Sequence, residues 1–269
     1  MSKKRVLFVS QEITPYLPET QMSRIGRFLP QKIQEQGKEI RTFMPRYGLV
    51  NERRNQLHEV IRLSGMNIII DEIDYTLIIK VASLQQARMQ VYFIDNEDYF
   101  KRKFLFRDKN GKFFDDNDER TAFFARGVLE TVKKLGWGPD VIHIHGWFTS
   151  LVPFYVKTLY KDNPLFADSK IVVSIYNDRF SEKLSENFGK KIFVKGMDKS
   201  LVEKYNNADY ISLMKSTIDS ADAVIAGDQE VSQELIEYAK ASGKPFLDYQ
   251  GDEDYYVKYN EFYDKIIEG

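Results

Sequence analysis

The fold is decided by residues 5–30, RVLFVSQEITPYLPETQMSRIGRFLP. The apolar run Val6-Leu7-Phe8-Val9 is typical of a buried strand. A loop with two prolines follows it, and apolar side chains then recur every three or four residues from Met22 to Ile33. This spacing predicts a helix that packs back on the strand. A strand, a loop and a crossover helix form the first unit of a doubly wound α/β domain, whose ligands bind at the carboxyl ends of the strands.

Further apolar runs of strand length recur along the chain, at residues 39–43, 91–94, 141–145, 171–175 and 223–226. Two more, at residues 68–70 and 77–79, flank a polar turn and predict an antiparallel hairpin. We therefore expect an α/β fold, a Rossmann-like and mostly parallel sheet with helices on both faces and a small antiparallel excursion.

Two helices have recognisable ends in the sequence. Asp118 is expected to cap a helix that stops at Gly136. Residues 245–269 are acidic and rich in tyrosine, and Tyr256, Tyr259 and Tyr263 fall at helical spacing, so we expect a terminal helix or cap that docks on the body. With no internal repeat and no long linker, residues 1–269 are predicted to form one domain.

The composition excludes several classes of function. Lys and Arg number 39 against 40 Asp and Glu, which gives no basic field for nucleic acid and no cationic face for a membrane. No cysteine is present, which excludes disulfides and thiolate chemistry. With only three histidines, a His-rich metal site is not expected. The first apolar run is too short for a signal peptide, so a cytoplasmic protein is expected.

Five motifs carry a family resemblance, at residues 6–15, 44–48, 91–96, 116–124 and 140–147. Their order and spacing resemble those of the starch and bacterial glycogen synthases over residues 5–240. These retaining glucosyltransferases move glucose from ADP-glucose to an α-1,4-glucan. The resemblance implies the N-terminal half of a GT-B glycosyltransferase, which has two Rossmann-like domains and an active site in the cleft between them. It implies ADP-glucose as the donor substrate and no further cofactor.

In this sequence the residues at the donor-binding motif differ from those of the family. The family carries Lys-Thr-Gly-Gly-Leu-x-Asp after the first strand, where glycines let the backbone approach the diphosphate and lysine meets its charge. This chain has Pro18-Glu19-Thr20-Gln21-Met22-Ser23-Arg24. A glutamate beside a diphosphate repels it. Compared with the family it resembles, this chain is therefore expected to keep the scaffold and to have lost its contacts with a nucleotide sugar.

Two further family motifs have changed. The aspartate of His-x-His-Asp-Trp, which faces the sugar, is Gly146 in this chain. The histidine of Thr-Val-His-Asn, which contacts the donor glucose, is Tyr176. A tyrosine can stack on a sugar but cannot replace a protonated imidazole.

The ligand-binding candidates are Glu12, His145, Tyr176 and Asn177, all at predicted carboxyl ends of strands. Each has a structural alternative: Glu12 as a loop-capping acid, and His145 as a side chain packed inside the sheet. No catalytic residue and no metal ligand is predicted.

Two hypotheses about function remain open from the sequence. In the first, the chain is a glucosyltransferase half that needs a partner to supply the nucleotide-binding domain. In the second, it is a non-catalytic scaffold, regulatory subunit or carbohydrate-binding module, with an α-glucan or a protein as its partner. On this view the acidic tail covers the face where the second domain docks in the family.

Overall fold

The computed structural model describes residues 3–269. Its strands are β1 Arg5–Ser10, β2 Glu39–Pro45, β3 His58–Glu59, β4 Met66–Ile70, β5 Ile73–Leu84, β6 Met89–Asp95, β7 Val141–His145, β8 Lys170–Ile175, β9 Ala223–Ala226 and β10 Phe246–Leu247. Its helices are α1 Gln21–Glu35, α2 Glu97–Phe100, α3 Asn117–Leu135, α4 Leu151–Lys157, α5 Phe188–Ile192, α6 Ser200–Glu203, α7 Tyr210–Ser220, α8 Gln233–Ala241 and α9 Tyr255–Glu268.

The strands form one sheet in the order β10-β9-β8-β7-β1-β2-β6-β5-β3, with β4 paired to β5. Neighbours from β10 to β6 are parallel, and β5 is antiparallel to β6, β3 and β4. The predicted α/β fold with an antiparallel excursion is confirmed. Because β2 and β7 lie on opposite sides of β1, the topological switch point falls between β1 and β7.

Helices cover both faces of the sheet, which explains why the central strands are apolar on both sides. On one face α1 and α9 pack over β1, β7, β8 and β9. On the other face α3, α4 and α7 form the larger part of the core.

Helix α1 is stabilised by a capping motif at its start and by one apolar stripe along its length. The Thr20 hydroxyl accepts from the Ser23 backbone N–H at 3.0 Å, and the Thr20 N–H donates to the Ser23 hydroxyl at 2.8 Å. This reciprocal pair satisfies donors that a helix start otherwise leaves open. The stripe then buries its apolar side chains against the sheet: Met22, Ile25, Leu29 and Ile33.

The prediction that Asp118 caps α3 is wrong, because the helix begins at Asn117 with Asp116 in the capping position. Asp118 lies within the first turn, where its buried carboxylate accepts from Lys191 Nζ at 3.0 Å. Gly136 ends the helix in a left-handed conformation, as predicted.

Helix α9 occupies the stretch that the tyrosine spacing marked. It buries Tyr259, Phe262, Tyr263 and Ile266 against the sheet, beside α1. The helix therefore lies on a face of the sheet rather than over the strand ends. The segment that precedes it, residues 248–254, contacts the N-terminal end of α1 through Tyr249 and Asp252.

Candidate functional site

The carboxyl edge of the sheet at the β1–β7 switch point is the place where this fold predicts a ligand. Here the Gln11 backbone N–H donates to the His145 carbonyl at 3.0 Å, which extends the pairing beyond the strands. The Gln11 side chain is buried, and its Oε1 accepts from the Phe148 backbone N–H at 3.0 Å. The crevice between the two strands is therefore filled by a side chain of the protein itself.

Gly146 shows how closely that crevice is packed. Its φ of +89° and ψ of 156° belong to a conformation that essentially only glycine adopts. A Cβ added there would lie 2.8 Å from Gln11 Cβ, Gln11 Oε1 and Met22 Sδ alike. The aspartate that the family carries at this position therefore does not fit the backbone and packing of this chain.

Glu12 is held within the loop that follows β1. Its Oε2 accepts from the Thr20 hydroxyl at 2.8 Å, and its Oε1 accepts from Gln11 Nε2 at 3.2 Å. This carboxylate thus braces the residue that caps α1. The contacts agree with the loop-capping alternative, and a ligand role for Glu12 stays a prediction.

The start of α1 carries the positions that diverge from the donor motif. Gln21 Nε2 donates to Asp252 Oδ1 at 3.0 Å and lies 3.4 Å from the Tyr249 hydroxyl. The Tyr249 hydroxyl in turn donates to the same Asp252 oxygen at 3.1 Å. Arg24 lies 3.7 Å from the Glu19 carboxylate, and Pro18 is exposed. The segment before α9 is therefore tied to the helix end where an anion would bind.

His145 and Tyr176 are brought together in the interior. His145 Nδ1 lies 2.7 Å from the Tyr176 hydroxyl, and both side chains are buried. Burial lowers the pKa of His145 to about 3 and raises that of Tyr176 well above its usual range, so both are neutral. The His145 Nε2 is buried without a hydrogen-bond partner within residues 3–269.

A second buried histidine links the sheet to the terminal helix. His143 Nδ1 lies 2.6 Å from the Tyr263 hydroxyl, and its Nε2 lies 2.7 Å from the Ser174 hydroxyl. The two imidazole rings lie with centroids 3.9 Å apart and planes tilted by 43°. Burial, with the neighbouring His145, lowers the pKa of His143 well below its usual range. Both histidines and Trp147 are buried in this conformation, and a ligand role for His145 stays a prediction.

Asn177 is exposed at the end of β8, where its Nδ2 donates to Glu230 at 3.2 Å. Of the four candidate side chains, Asn177 and the half-buried Glu12 are accessible at the carboxyl edge, whereas His145 and Tyr176 are not. The structure thus separates the candidates into an accessible pair and a buried pair.

The next residue, Asp178, was missed by the sequence analysis. Its Oδ2 accepts from the Trp147 backbone N–H at 2.8 Å, and its Oδ1 lies 2.9 Å from the Tyr210 hydroxyl. Burial raises the pKa of this carboxyl to about 7, although both hydrogen bonds favour the charged form. Its position directly after the Tyr176-Asn177 motif, at a strand end, was the available signal.

Neither a membrane-spanning helix nor a cluster of metal ligands is found within residues 3–269. No helix there is both long and apolar enough to cross a membrane. No group of three or more His, Asp or Glu side chains there is arranged to hold a metal ion.

The parallel sheet and its switch-point edge define a Rossmann-like domain. A family model described as the starch synthase catalytic domain matches residues 5–247. The chain therefore belongs to this family, as the motifs predicted. The match ends before α9, which lies outside the family model.

Curated relatives show the same assignment. The chain is 34% identical to the glycogen synthase of Chlorobium limicola over 233 residues, which cover 86% of this chain and 47% of the relative. It is 41% identical to that of Chlorobium phaeobacteroides over 174 residues, 64% of this chain and 36% of the relative. The chain spans about half the length of the curated relatives it matches.

A solved structure shares the fold. The catalytic domain of Starch Synthase IV from Arabidopsis thaliana, bound to ADP and acarbose, superimposes with a TM-score of 0.74 at 18% identity. The match covers 93% of this chain and 52% of that chain. At this identity the likeness shows the fold alone.

Proposed function

We propose that this chain acts in α-1,4-glucan metabolism as a non-catalytic member of the starch synthase family. On its own it does not transfer glucose from ADP-glucose. A retaining transfer needs donor and acceptor in one closed cleft that stabilises the developing positive charge. The resemblance implies that the family builds that cleft from two domains, and the domain described here corresponds to one of them.

The observation that carries the proposal is the closed start of α1. A diphosphate there needs free backbone N–H groups and close approach. The Thr20 side chain already caps the helix, and Gln21 is engaged by Tyr249 and Asp252. The carboxylates of Glu19 and Asp252 would face the phosphates, and each like charge at about 4 Å costs roughly 1 to 4 kcal/mol.

Purified protein mixed with labelled ADP-glucose and glycogen tests this proposal. We expect no incorporation of glucose, and no heat of ADP-glucose binding by calorimetry. The glycogen synthase of Chlorobium limicola serves as the positive control. A saturable ADP-glucose isotherm, or turnover by the lone chain, would overturn the proposal.

The role that remains is that of a scaffold, a regulatory subunit or a carbohydrate-binding module. Among these, carbohydrate binding has the most support, because an aromatic groove with polar walls lies between α1 and α9. A cytoplasmic location is part of the same proposal, and cell fractionation followed by immunoblotting checks it.

A further inference from the structure

A groove of about 210 Å³ separates the exposed sides of α1 and α9. Helix α1 contributes Phe28 to it, and α9 contributes Tyr255 and Tyr256. Polar side chains surround these rings: Gln21, Arg24, Lys32 and Asp252. Because α9 begins after residue 247, the groove combines a helix of the family with an element outside the family match.

The aromatic rings are accessible rather than packed away. Phe28 is 46% exposed, although its neighbours on the other side of α1 are buried in the core. Tyr255 and Tyr256 are half-buried, with ring centroids 6.0 Å apart and planes at 77°. Three rings on two facing helices thus provide apolar surfaces in more than one orientation.

The two cations beside the groove each lie near a carboxylate. Lys32 Nζ lies 3.0 Å from the Glu35 carboxylate, and Arg24 lies 3.7 Å from that of Glu19. Asp252 accepts from the neutral side chains of Gln21 at 3.0 Å and Tyr249 at 3.1 Å, so its negative charge remains. A groove whose cations already face carboxylates does not favour an anion, and it offers donors and acceptors to a neutral ligand.

We propose that this groove binds the end of an α-1,4-glucan chain, an inference that rests on the proposed function. A glucosyl unit has C–H groups that pack on aromatic rings and hydroxyls that need both donors and acceptors. The volume lies below the ~300 Å³ at which sites for drug-sized ligands begin, so it suits one or two sugar units. Family membership selects α-glucan among neutral sugars.

Calorimetric titration of the intact chain with maltoheptaose tests the site. Phe28→Ala and Tyr256→Ala are each expected to weaken binding at least tenfold. Ile73→Ala is the matched control, because Ile73 is an apolar side chain, 57% exposed, on the β4–β5 hairpin. Circular dichroism checks that each variant is folded.

Three results would overturn the inference: no binding of maltoheptaose, equal binding by the two groove variants and the control, or equal binding of the β-linked cellohexaose. The same samples are tested with ADP-glucose, so that a failure of glucan binding in the groove can be distinguished from a failure of the proposed non-catalytic role. Turnover of ADP-glucose would refute the non-catalytic role. A lack of maltoheptaose binding in the groove would refute only the groove proposal.

Discussion

Asp178 joins three segments at the carboxyl edge of the sheet. The Tyr210 hydroxyl lies 2.9 Å from both the Tyr176 carbonyl oxygen and Asp178 Oδ1. A hydroxyl has one proton to donate, so when the carbonyl receives it, the carboxyl must carry a proton of its own. When the hydroxyl instead donates to Asp178, that bond favours the charged form, and burial is what raises the pKa to about 7.

We expect Asp178→Asn to stabilise the protein above pH 7. The folded pKa of Asp178 is raised above the unfolded value, so its stabilising contribution is complete below about pH 4 and lost as the pH rises through 7. The amide keeps both hydrogen bonds without a charge. The gain in unfolding free energy should be about 4 kcal/mol at pH 8 and fall below about 1 kcal/mol near pH 4. Urea unfolding at both pH values measures it, and a gain independent of pH would contradict the assignment.

Gly146 is a second residue that is decisive at the carboxyl edge of the sheet, because the packing there leaves no room for a side chain. Gly146→Ala should lower the free energy of unfolding by about 3 kcal/mol, because strain at positive φ adds to overlap with Gln11 and Met22. Gly243→Ala is the control, since Gly243 has a φ of +72° but no atom within 4 Å of an added Cβ. Thermal unfolding compares the two, and equal losses would show that packing at Gly146 contributes nothing.

At the scale of the element, α9 is an integral part of the sheet packing. Its Tyr263 hydroxyl is the partner of His143 on β7, deep in the interior. Tyr263→Phe leaves a buried imidazole nitrogen unpaired, which should cost about 1–3 kcal/mol of unfolding free energy. Tyr256→Phe removes an exposed hydroxyl from the same helix and should change stability by less than about 0.5 kcal/mol. Chemical unfolding of both variants is the measurement, and similar losses would argue against a buried hydrogen bond.

The elements themselves could be predicted because their patterns are local. The run Val6–Val9, the stripe along α1 and the tyrosines of α9 each indicate an element within a few residues. The site could not be predicted in the same way. Gln11 and Gly146 meet although they are 135 positions apart in the sequence, and neither residue type predicts that a side chain fills the crevice. The placement of Asp118 failed for a related reason, because Lys191 draws its carboxylate into the core.

At the scale of the whole molecule, the chain has the length of one half of a two-domain family. The non-catalytic proposal has two grounds, the need for a second domain to form the cleft and the altered start of α1. These two grounds can be separated by experiment.

Residues 1–247 joined to the second half of the Chlorobium limicola glycogen synthase should remain at least ~100-fold less active than that enzyme, because the donor contacts are altered. Changing Pro18→Lys, Glu19→Thr, Thr20→Gly and Gln21→Gly in the chimera should tighten ADP-glucose binding about tenfold through restored charge-assisted contacts. Calorimetry and glucose incorporation report the two effects. Full activity in the unaltered chimera would show that the altered motif is compatible with donor binding.

The hydrogen bond between Tyr263 and His143 also bears on how the protein is made. The central strand β7 obtains the partner of its buried imidazole from a residue of α9 that lies 120 positions later in the sequence. During synthesis, the strand emerges from the ribosome long before that helix does. The native interior is therefore completed only after residues 255–268 have been synthesised, and until then the nascent sheet exposes an apolar face that chaperones can bind.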